Sequence, residues 1–310
     1  MKAEIFYPKD EAEWLGLRDQ DVTSTEVSAL FDLSPYETRL ELWCRKADMY
    51  STDFEHTERT RWGLRLQDAI AQGLAEDHGW SIRRMTEYMR RPDIRLGASF
   101  DFAIEPDGLL EIKNVDSLIF RDGWAEDDDG GFEAPPHIEM QIQVQLALSG
   151  RKRAYLGAFV GGNKAVIVER HPDPQIIARI EQEVAEFWLS IKENRRPAIN
   201  WDRDAAFLCR LYAYAEEGKE VDRRGDADFL TLCKNYKDIA DQAKALDVKK
   251  KAAKAQVLMA IGDAHKTLGD GFTVSAGMIA GGKVEYERES YRDFRINWKR
   301  ERNDKGTTKT

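Results

Sequence analysis

Two carboxylates and a lysine form the strongest chemical motif in this sequence. Asp101 lies in the apolar run LGASFDFAI, and Glu111 and Lys113 lie in the next run, LLEIKNV. Residues two apart in a strand share a face, so Glu111 and Lys113 point the same way, and a hairpin turn brings Asp101 beside them. Two carboxylates, with the backbone carbonyl of Ile112 between them, form a hard oxygen site suited to Mg²⁺ or Mn²⁺. Such a site polarises a phosphate, and the lysine beside it orients or deprotonates the attacking water.

A structural interpretation of the same residues competes with this one. A single acid and an E-x-K pattern are common on the solvated faces of strands. Here Leu109, Leu110, Ile112 and Val115 indicate a mostly buried strand, in which an unpaired charge is costly. Charged groups that persist in such surroundings tend to be functional, so we interpret the motif as a candidate site.

The motifs around this site resemble those of a known nuclease family. The Asp101, Glu111 and Lys113 set resembles the signature of the PD-(D/E)xK nucleases. Its neighbours resemble, in order, blocks of the phage lambda exonuclease and YqaJ-type viral recombinases: Trp14 with Arg18, VTSTEV, SPYETRLELWCRKAD, RWGLRLQDAI and HIEMQIQVQLALSGRKRAYLGAFVGG. The likeness runs from about residue 14 to residue 195. It implies a deoxyribonuclease that uses Mg²⁺, or Mn²⁺ in its place, and digests linear double-stranded DNA from its ends, 5′ to 3′, leaving single strands for annealing recombination.

The resemblance also implies roles for residues of the catalytic centre. Asp101, Glu111 and the Ile112 carbonyl would bind the metal, and Lys113 would serve the attacking water. Gln141 stands where the family has a glutamine near the active site. Gln145 is four residues further along the same helix face and would assist; the alternative is that both glutamines belong to a polar helix surface.

A second group of residues matches the family's pocket for the 5′ phosphate of a DNA end. These are Arg18, Thr23, Thr25 and Ser99. A guanidinium with hydroxyl donors near a helix start forms a suitable anion site. Taken alone, Thr25 is equally suited to cap a helix.

One position departs from the family pattern. The helix after Gly63 usually carries a glutamate as a further metal ligand, and this chain has Gln67 there. A glutamine offers only a neutral carbonyl oxygen, so we expect a second metal to be held more weakly or through water. Asp68 is adjacent, but one residue along a helix rotates a side chain by roughly 100°.

A mixed α/β domain over residues 1–200 is expected to position these residues. Apolar periodicity predicts a helix from Arg61 to Asp77, a hairpin turning at Glu105-Pro106-Asp107-Gly108, a helix from His137 to Ser149, two strands around Gly161-Gly162-Asn163, and a helix from Asp173 to Asn194. The charged segment Arg121 to Glu133 is predicted to be an exposed loop. The resemblance implies the restriction-endonuclease-like class, a mixed sheet core flanked by helices.

Residues 201–310 differ in composition and are predicted to form an extension. Ala205 to Glu217 and Asp226 to Leu268 have helical patterns, which predict a coiled or hairpin pair of helices. The tail predicts a small β-hairpin around Gly281-Gly282. Oligomerisation, partner docking and DNA contact remain open as roles for this extension.

Composition restricts the partners and the compartment. The 310 residues include 47 basic and 56 acidic side chains, a net charge of −9, so DNA must be held by local patches and not by bulk charge. Two basic clusters flank the predicted site, and two lie in the extension: Arg83, Arg84, Arg90, Arg91 and Arg95; Arg151, Lys152 and Arg153; Lys249, Lys250, Lys251 and Lys254; and Arg292, Arg295, Lys299, Arg300 and Arg302.

The expected location is the cytoplasm, that of the bacterial host if a phage encodes the protein. Cys44, Cys209 and Cys233 are too widely spaced to predict a zinc site. The sequence has no run of about 18 apolar residues, so we expect no membrane association. The resemblance implies a homo-oligomer, a ring-shaped trimer, and a single-strand annealing protein as partner.

Two other functions fit parts of the sequence. An endonuclease of the same fold would need no pocket for a 5′ phosphate. A non-catalytic DNA-binding or scaffold protein would explain Gln67, but Asp101, Glu111 and Lys113 argue against it.

Overall fold

The computed structural model describes residues 2–51, 57–126, 131–288 and 290–298. The chain divides into two compact units, Met1–Leu211 and Tyr212–Thr310. The first unit has these helices and strands in order: β1 (Glu4–Phe6), α1 (Glu11–Asp19), β2 (Val22–Thr23), a 3₁₀ helix (Val27–Phe31), α2 (Arg39–Lys46), α3 (Glu58–His78), β3 (Ile82–Arg84), β4 (Tyr88–Arg91), β5 (Leu96–Ser99), β6 (Phe102–Ile104), β7 (Gly108–Val115), α4 (Ser117–Gly123), β8 (Ala125–Glu126), β9 (Phe132–Glu133), α5 (Pro136–Ser149), β10 (Arg153–Val160), β11 (Lys164–Arg170), α6 (Pro174–Lys192) and α7 (Trp201–Leu211).

Two sheets organise the first unit. The larger sheet has the strand order β11-β10-β7-β6-β3, and the smaller has the order β1-β4-β5-β2. Each sheet is mixed, because β10 runs parallel to β7 and β2 runs parallel to β5 while the other neighbours are antiparallel. The predicted class, a mixed-sheet α/β core flanked by helices, is confirmed.

The central hairpin is present, but the first of its two apolar runs is divided. Strands β6 and β7 pair antiparallel with Phe102 opposite Leu110, as the Pro-Asp-Gly turn predicts. The run LGASFDFAI is not one strand, however, because the chain leaves β5 at Phe100 and bends at Asp101. Strand β5 therefore belongs to the smaller sheet and β6 to the larger one.

Strand β7 is packed on both faces, and its side chains alternate between two layers of packing. Leu110 and Ile112 pack with Ile70 and Leu74 of α3, whereas Leu109 belongs to the cluster that includes Ile142 of α5. Residues two apart along a strand share a face, so the odd-numbered Glu111 and Lys113 lie on the α5 side. The helices on the two faces thus bury the part of the strand from Gly108 to Ile112, which includes Glu111.

Local signals set the ends of the two helices that flank β7. Helix α3 begins three residues before the predicted Arg61, because the Thr57 side chain accepts a hydrogen bond from the Thr60 N–H and caps it. Helix α5 begins at Pro136, whose missing N–H costs nothing in a first turn. It ends at Gly150, which has a φ of 68°, the left-handed conformation that glycine adopts without strain.

The charged segment from Arg121 to Glu133 is only partly a loop. Its first residues complete α4, and strands β8 and β9 pair with each other. Residues 127–130 of the predicted loop lie outside the described residues.

The second unit contains one long helix and a short hairpin. Helix α8 spans Ala227–Ile261, and strands β12 (Lys266–Gly269) and β13 (Phe272–Ser275) pair antiparallel. The turn lies at Asp270-Gly271, where Gly271 has a φ of 79°, and not at Gly281-Gly282 as the sequence suggested. The expected second helix is α7, which ends at Leu211 inside the first unit, so α8 has no helical partner within the described part of its own unit.

Parts of the predicted features of the tail fall outside what the structure describes. Lys299, Arg300 and Arg302 are among these residues. Within the described ranges, no helix combines the length and the apolar character needed to cross a membrane.

Candidate active site

Glu111 is a buried carboxylate held by three side-chain donors. It lies on β7 and is 6% exposed. Its Oε1 accepts hydrogen bonds from Lys113 Nζ at 2.7 Å and from Gln141 Nε2 at 2.6 Å, and its Oε2 accepts one from Gln145 Nε2 at 2.8 Å. A buried charge is tolerated when it is paired and hydrogen-bonded. These donors therefore stabilise the buried carboxylate and restrain its orientation.

Lys113 is tied into the same network. Its ammonium also donates to Gln141 Oε1 at 3.1 Å. Burial acts to lower the pKa of Lys113, but the carboxylates of Glu111 and Asp101 outweigh it and leave the pKa above its ordinary value. The side chain is therefore a cation at neutral pH, and one of its three N–H groups remains for an acceptor beyond these two.

Asp101 faces the same centre from the bend before β6. One step beyond the Phe102–Leu110 pair, the register places it opposite Glu111, and its Oδ2 accepts a hydrogen bond from the Ile112 N–H at 2.8 Å. Burial and the nearby Glu111 carboxylate raise the pKa of Asp101 to about 7, against the opposing effects of Lys113, the Ile112 N–H and the Gln67 side chain. Two carboxylates thus lie close together at one buried place in the larger sheet.

Gln67 reaches this centre from α3. Its side chain hydrogen-bonds to the Asp101 carboxylate, and its Oε1 accepts a hydrogen bond from Arg84 Nη2 at 3.1 Å. Arg84 also pairs with Asp68 on the next residue of α3. The glutamine therefore contacts the predicted metal ligand, while its carbonyl oxygen is engaged by an arginine.

The three glutamines of α5 divide between two functions. Gln141 and Gln145 are one turn apart and both contact Glu111. Gln143 points elsewhere: its Nε2 donates to the His171 carbonyl at 3.1 Å and its Oε1 accepts from the Asp173 N–H at 2.8 Å. Helical geometry, with roughly 100° per residue, explains why the middle glutamine ties α5 to the start of α6 instead of reaching the site.

The four residues expected to hold a 5′ phosphate lie together beside this centre. Arg18 Nη2 donates to Thr25 Oγ1 at 3.4 Å, and the hydroxyls of Thr25 and Thr23 are 3.1 Å apart. The Arg18 guanidinium lies 4.6 Å from the ring centroid of Trp14, whose Nε1 donates to Ser99 Oγ at 2.8 Å. The Ser99 carbonyl in turn accepts a hydrogen bond from Gln145, which connects this pocket to Glu111.

A buried ion cluster lies beneath the pocket. Glu26 Oε2 accepts a hydrogen bond from the Thr23 N–H at 2.9 Å. Burial acts to raise the pKa of Glu26, but the charges of Lys46, Arg45 and Arg18 overcome it and lower the pKa to about 2. Because Arg45 and Lys46 form ion pairs with Glu26, the acid in the cluster is already neutralised by neighbours other than Arg18.

Most arginines of the first predicted DNA patch are engaged within the protein. Arg90 forms an ion pair with the fully buried Asp21, and Arg91 with Asp93 and Glu181. Arg95 stacks on a tryptophan ring and donates to a backbone carbonyl. These side chains stabilise the smaller sheet and its contacts with α6, so they are less available to phosphates than the sequence suggested.

Two residues near Lys113 lie within the motif blocks but were not among the predicted site residues. Tyr36 and His137 meet edge to face with ring centroids 5.8 Å apart. Burial and the charge of Lys113 lower the pKa of His137, so it is neutral at pH 7. His137 stands four residues before Gln141 on α5, a spacing that places the two on one helix face; Tyr36 lies in a loop, where no periodic pattern could indicate it.

The oxygen donors of this centre suit one hard divalent cation. Within the described residues, no group of three or more His, Cys, Asp or Glu side chains is arranged to hold a metal. Asp101 and Glu111 supply two carboxylates, and Ile112 adds a backbone carbonyl. Mg²⁺ is often bound by one or two carboxylates, with water and phosphate completing its octahedron, so the set fits an ion that is shared with a phosphate substrate.

Comparisons with known proteins support the resemblance that the motifs predict. Residues 13–152 match the family model of the YqaJ-like viral recombinase domain. The uncharacterized protein YqaJ of Bacillus subtilis (strain 168) is 25% identical over 260 residues, covering 79% of this chain and 80% of the relative. The resemblance to the YqaJ-type viral recombinases is thereby confirmed.

Solved structures also resemble the chain. The crystal structure of the alkaline exonuclease LHK-Exo from Laribacter hongkongensis has a TM-score of 0.49 and 21% identity, covering 64% of this chain and 99% of that one. A phage-related exonuclease from Haemophilus somnus 129PT has a TM-score of 0.38 and 13% identity, covering 61% of this chain and 89% of that one.

The burial of Asp101 next to Glu111 predicts a pH dependence of stability in metal-free protein. The pKa of Asp101 is about 7 in the folded protein and about 4 in an unfolded chain, so the folded state holds the proton more tightly. This group therefore makes the free energy of unfolding fall as the pH rises from about 4 to about 7. Asp101→Asn is expected to reduce that fall, as measured by urea unfolding with EDTA at pH 5 and pH 8.

A matched control is Asp122→Asn, which changes an exposed carboxyl and is expected to leave the difference between the two pH values as in the wild type. Equal pH dependence in Asp101→Asn and wild type would contradict the prediction.

Proposed function

We propose that this chain, whose residues 13–152 match the YqaJ-like viral recombinase domain, is a Mg²⁺-dependent deoxyribonuclease that digests linear double-stranded DNA from its ends. The observation that carries the proposal is the convergence of Asp101, Glu111 and Lys113 on one buried hairpin. Mn²⁺ would substitute for Mg²⁺. The product would be single strands suited to recombination by strand annealing.

The contacts of the site support a role for each residue in the proposed reaction. Asp101, Glu111 and the Ile112 carbonyl would hold the cation. A bound Mg²⁺ supplies Lewis-acid polarisation of the phosphate and a water of lowered pKa. The Lys113 ammonium would orient the attacking water and stabilise the negative charge that develops on the phosphate oxygens.

Gln141 and Gln145 act through Glu111. Each donates to one oxygen of that carboxylate, so neither oxygen can rotate away from the centre without losing a hydrogen bond. Gln141 also bonds to Lys113, which fixes the distance between the carboxylate and the ammonium. Donors that are already oriented before the reaction are the main source of electrostatic catalysis.

The preference for DNA ends rests on the pocket of Arg18, Thr23, Thr25 and Ser99. A terminal 5′ phosphate carries more charge than a phosphate within the strand, and a guanidinium with hydroxyl donors recognises it by charge-assisted hydrogen bonds. The bond from Gln145 to the Ser99 carbonyl joins this pocket to Glu111. Binding of the 5′ end beside the reactive centre supports digestion from 5′ to 3′.

Three further parts of the proposal rest on the family resemblance or, for the location, on the composition of the sequence. We propose a homo-oligomer, a ring-shaped trimer, as the working assembly. We propose a single-strand annealing protein as its partner and the cytoplasm as its location. Residues 201–310 would then serve the assembly, the partner or the DNA.

Loss of the centre is expected to abolish cleavage. Asp101→Ala removes a metal ligand, and Lys113→Ala removes the cation that stabilises the transition state, for which a loss of about a hundredfold or more in rate is expected. The measurement is digestion of a linear duplex in Mg²⁺, with Lys192→Ala, an exposed lysine on α6, as the control that retains activity.

Closed circular DNA distinguishes the possible nucleases. The wild type is expected to digest the linear duplex and leave the circle intact. Cleavage of the circle would identify an endonuclease instead. No cleavage of either substrate in Mg²⁺ or Mn²⁺, together with DNA binding, would identify a non-catalytic DNA-binding protein.

The pocket predicts a preference for phosphorylated ends. The wild type is expected to digest a duplex with 5′ phosphates faster than the same duplex with 5′ hydroxyls. Arg18→Gln removes the guanidinium and is expected to bring the two rates close together, whereas Arg179→Gln, an exposed arginine on α6, should keep the wild-type ratio. Equal rates on both substrates in the wild type would exclude the pocket.

Gln67→Glu is expected to raise the affinity for Mg²⁺. The substitution adds a carboxylate next to Asp101, where the present amide contributes no charge, and a further acidic oxygen strengthens a hard cation site. The midpoint of a Mg²⁺ titration should fall in this variant and stay unchanged in Gln182→Glu, an exposed position on α6. An unchanged midpoint in Gln67→Glu would show that residue 67 does not contribute to the metal site.

A further inference from the structure

Helix α8 is long and has no buried residue. It spans 35 residues from Ala227 to Ile261, and large apolar side chains along it are exposed, including Leu232, Ile239 and Leu246. An apolar stripe on a helix is normally buried against another element. The described residues of its own unit therefore leave most of this apolar surface uncovered.

Many of the exposed apolar residues follow a seven-residue repeat. Steps of three and four residues alternate from Phe229 to Ala260, which is the spacing of the a and d positions of a coiled coil. One position in this series, Lys250, is charged, and the exposed Leu230, Val248, Leu258 and Met259 lie outside it. The a positions are Phe229, Tyr236, Ala243, Lys250 and Val257, and the d positions are Leu232, Ile239, Leu246, Ala253 and Ala260. A repeat of this period over a helix of this length predicts pairing with a second helix in a left-handed supercoil.

The sizes of these residues match when a second copy of the helix is placed antiparallel. With the twofold axis between Lys244 and Ala245, each a residue meets a d residue of the other copy. Large side chains then lie opposite small ones in most layers, which is how packed layers fill space without voids. The pairs are Phe229 with Ala260, Leu232 with Val257, Tyr236 with Ala253, Ile239 with Lys250, and Ala243 with Leu246.

The charges also favour the antiparallel arrangement. In a parallel pair in register, Lys250 would face Lys250 of the other copy in the core, and Lys249 would flank Lys254 on both sides. Like charges at such positions are destabilising. In the antiparallel pair, the positions that flank the seam place Asp247 opposite Ala240 and Lys249 opposite the uncharged Gln242 of the other copy. No like charges therefore meet across the seam.

We propose that α8 pairs with the α8 of a second copy of this chain as an antiparallel two-stranded coiled coil. The paired region has a length of about 48 Å at 1.5 Å per residue. Within its own chain, one seam residue, Tyr236, has an edge-to-face contact with Phe294, and Tyr236 is still 52% exposed. The inference depends on the helix alone and is independent of the proposed nuclease activity.

Chemical cross-linking tests the register. The antiparallel pair places Cys233 opposite Lys254 of the other copy, so the full chain with Cys209→Ser and Lys254→Cys should give an efficient cross-linked dimer with a short bis-maleimide. Cys209→Ser removes an exposed thiol, and Cys44 is buried. The matched variant is Lys251→Cys in the same background, since position 251 faces away from the seam.

Cross-linking of the 254 variant and not of the 251 variant supports the antiparallel coil. Equal cross-linking of the two variants, or none in either, overturns it.

The mass of the full chain in solution tests the pairing without new cysteines. Leu246→Asp places a charge in the central layer and is expected to halve the mass measured by light scattering, whatever assembly the first unit forms. Val248→Asp makes the same kind of change on the outer face of the helix at a similar exposure, 61% against 63% for Leu246, and should keep the wild-type mass. A wild-type monomer, or a mass that Leu246→Asp leaves unchanged, would refute the proposal.

Discussion

The architecture of the first unit depends on the burial of one charge. Glu111 lies on a strand that is covered on both faces, and a carboxylate in such a place is stable only when donors surround it. Three side chains provide them, one from the same strand and two from α5. These bonds act together with the packing of Leu109 and Ile142 between β7 and α5, and the bonds that make the charge tolerable arrange the lysine and glutamines around it.

The neutral amide at Gln67 changes the electrostatics of this arrangement. Burial, and after it the repulsion by Glu111, already raise the pKa of Asp101. A third carboxylate there would increase the repulsion in the absence of a cation. The chain instead has an amide that hydrogen-bonds to Asp101 and an arginine, Arg84, that bonds to the amide and to Asp68. With an amide at this position, the centre has less internal repulsion when no cation is bound. It also offers a cation less negative charge than a third carboxylate would.

The sequence predicted the features that depend on local spacing. The period of β7, the turn that joins it to β6, and the helices α3, α5 and α6 follow from patterns within about twenty residues. So does the shared face of Gln141 and Gln145. Tertiary contacts decided the rest. The apolar run divides at Asp101 between two sheets, Arg90 and Arg91 form ion pairs with distant acids, and Tyr36 approaches His137. These outcomes depend on segments that are far apart in sequence, where no periodicity carries information.

The bend at Asp101 has a mechanical consequence. Thr23 and Ser99 belong to the smaller sheet, Glu111 and Lys113 belong to the larger, and between β5 and β6 the backbone crosses from one sheet to the other in two residues. Asp101 is one of those two, so it lies at a covalent crossover between the two sheets. A tilt of one sheet against the other would change the distance between the residues of the smaller sheet and those of the larger sheet, and it would also move Asp101. Gln145 donates hydrogen bonds to Ser99 and to Glu111, so it opposes such a tilt.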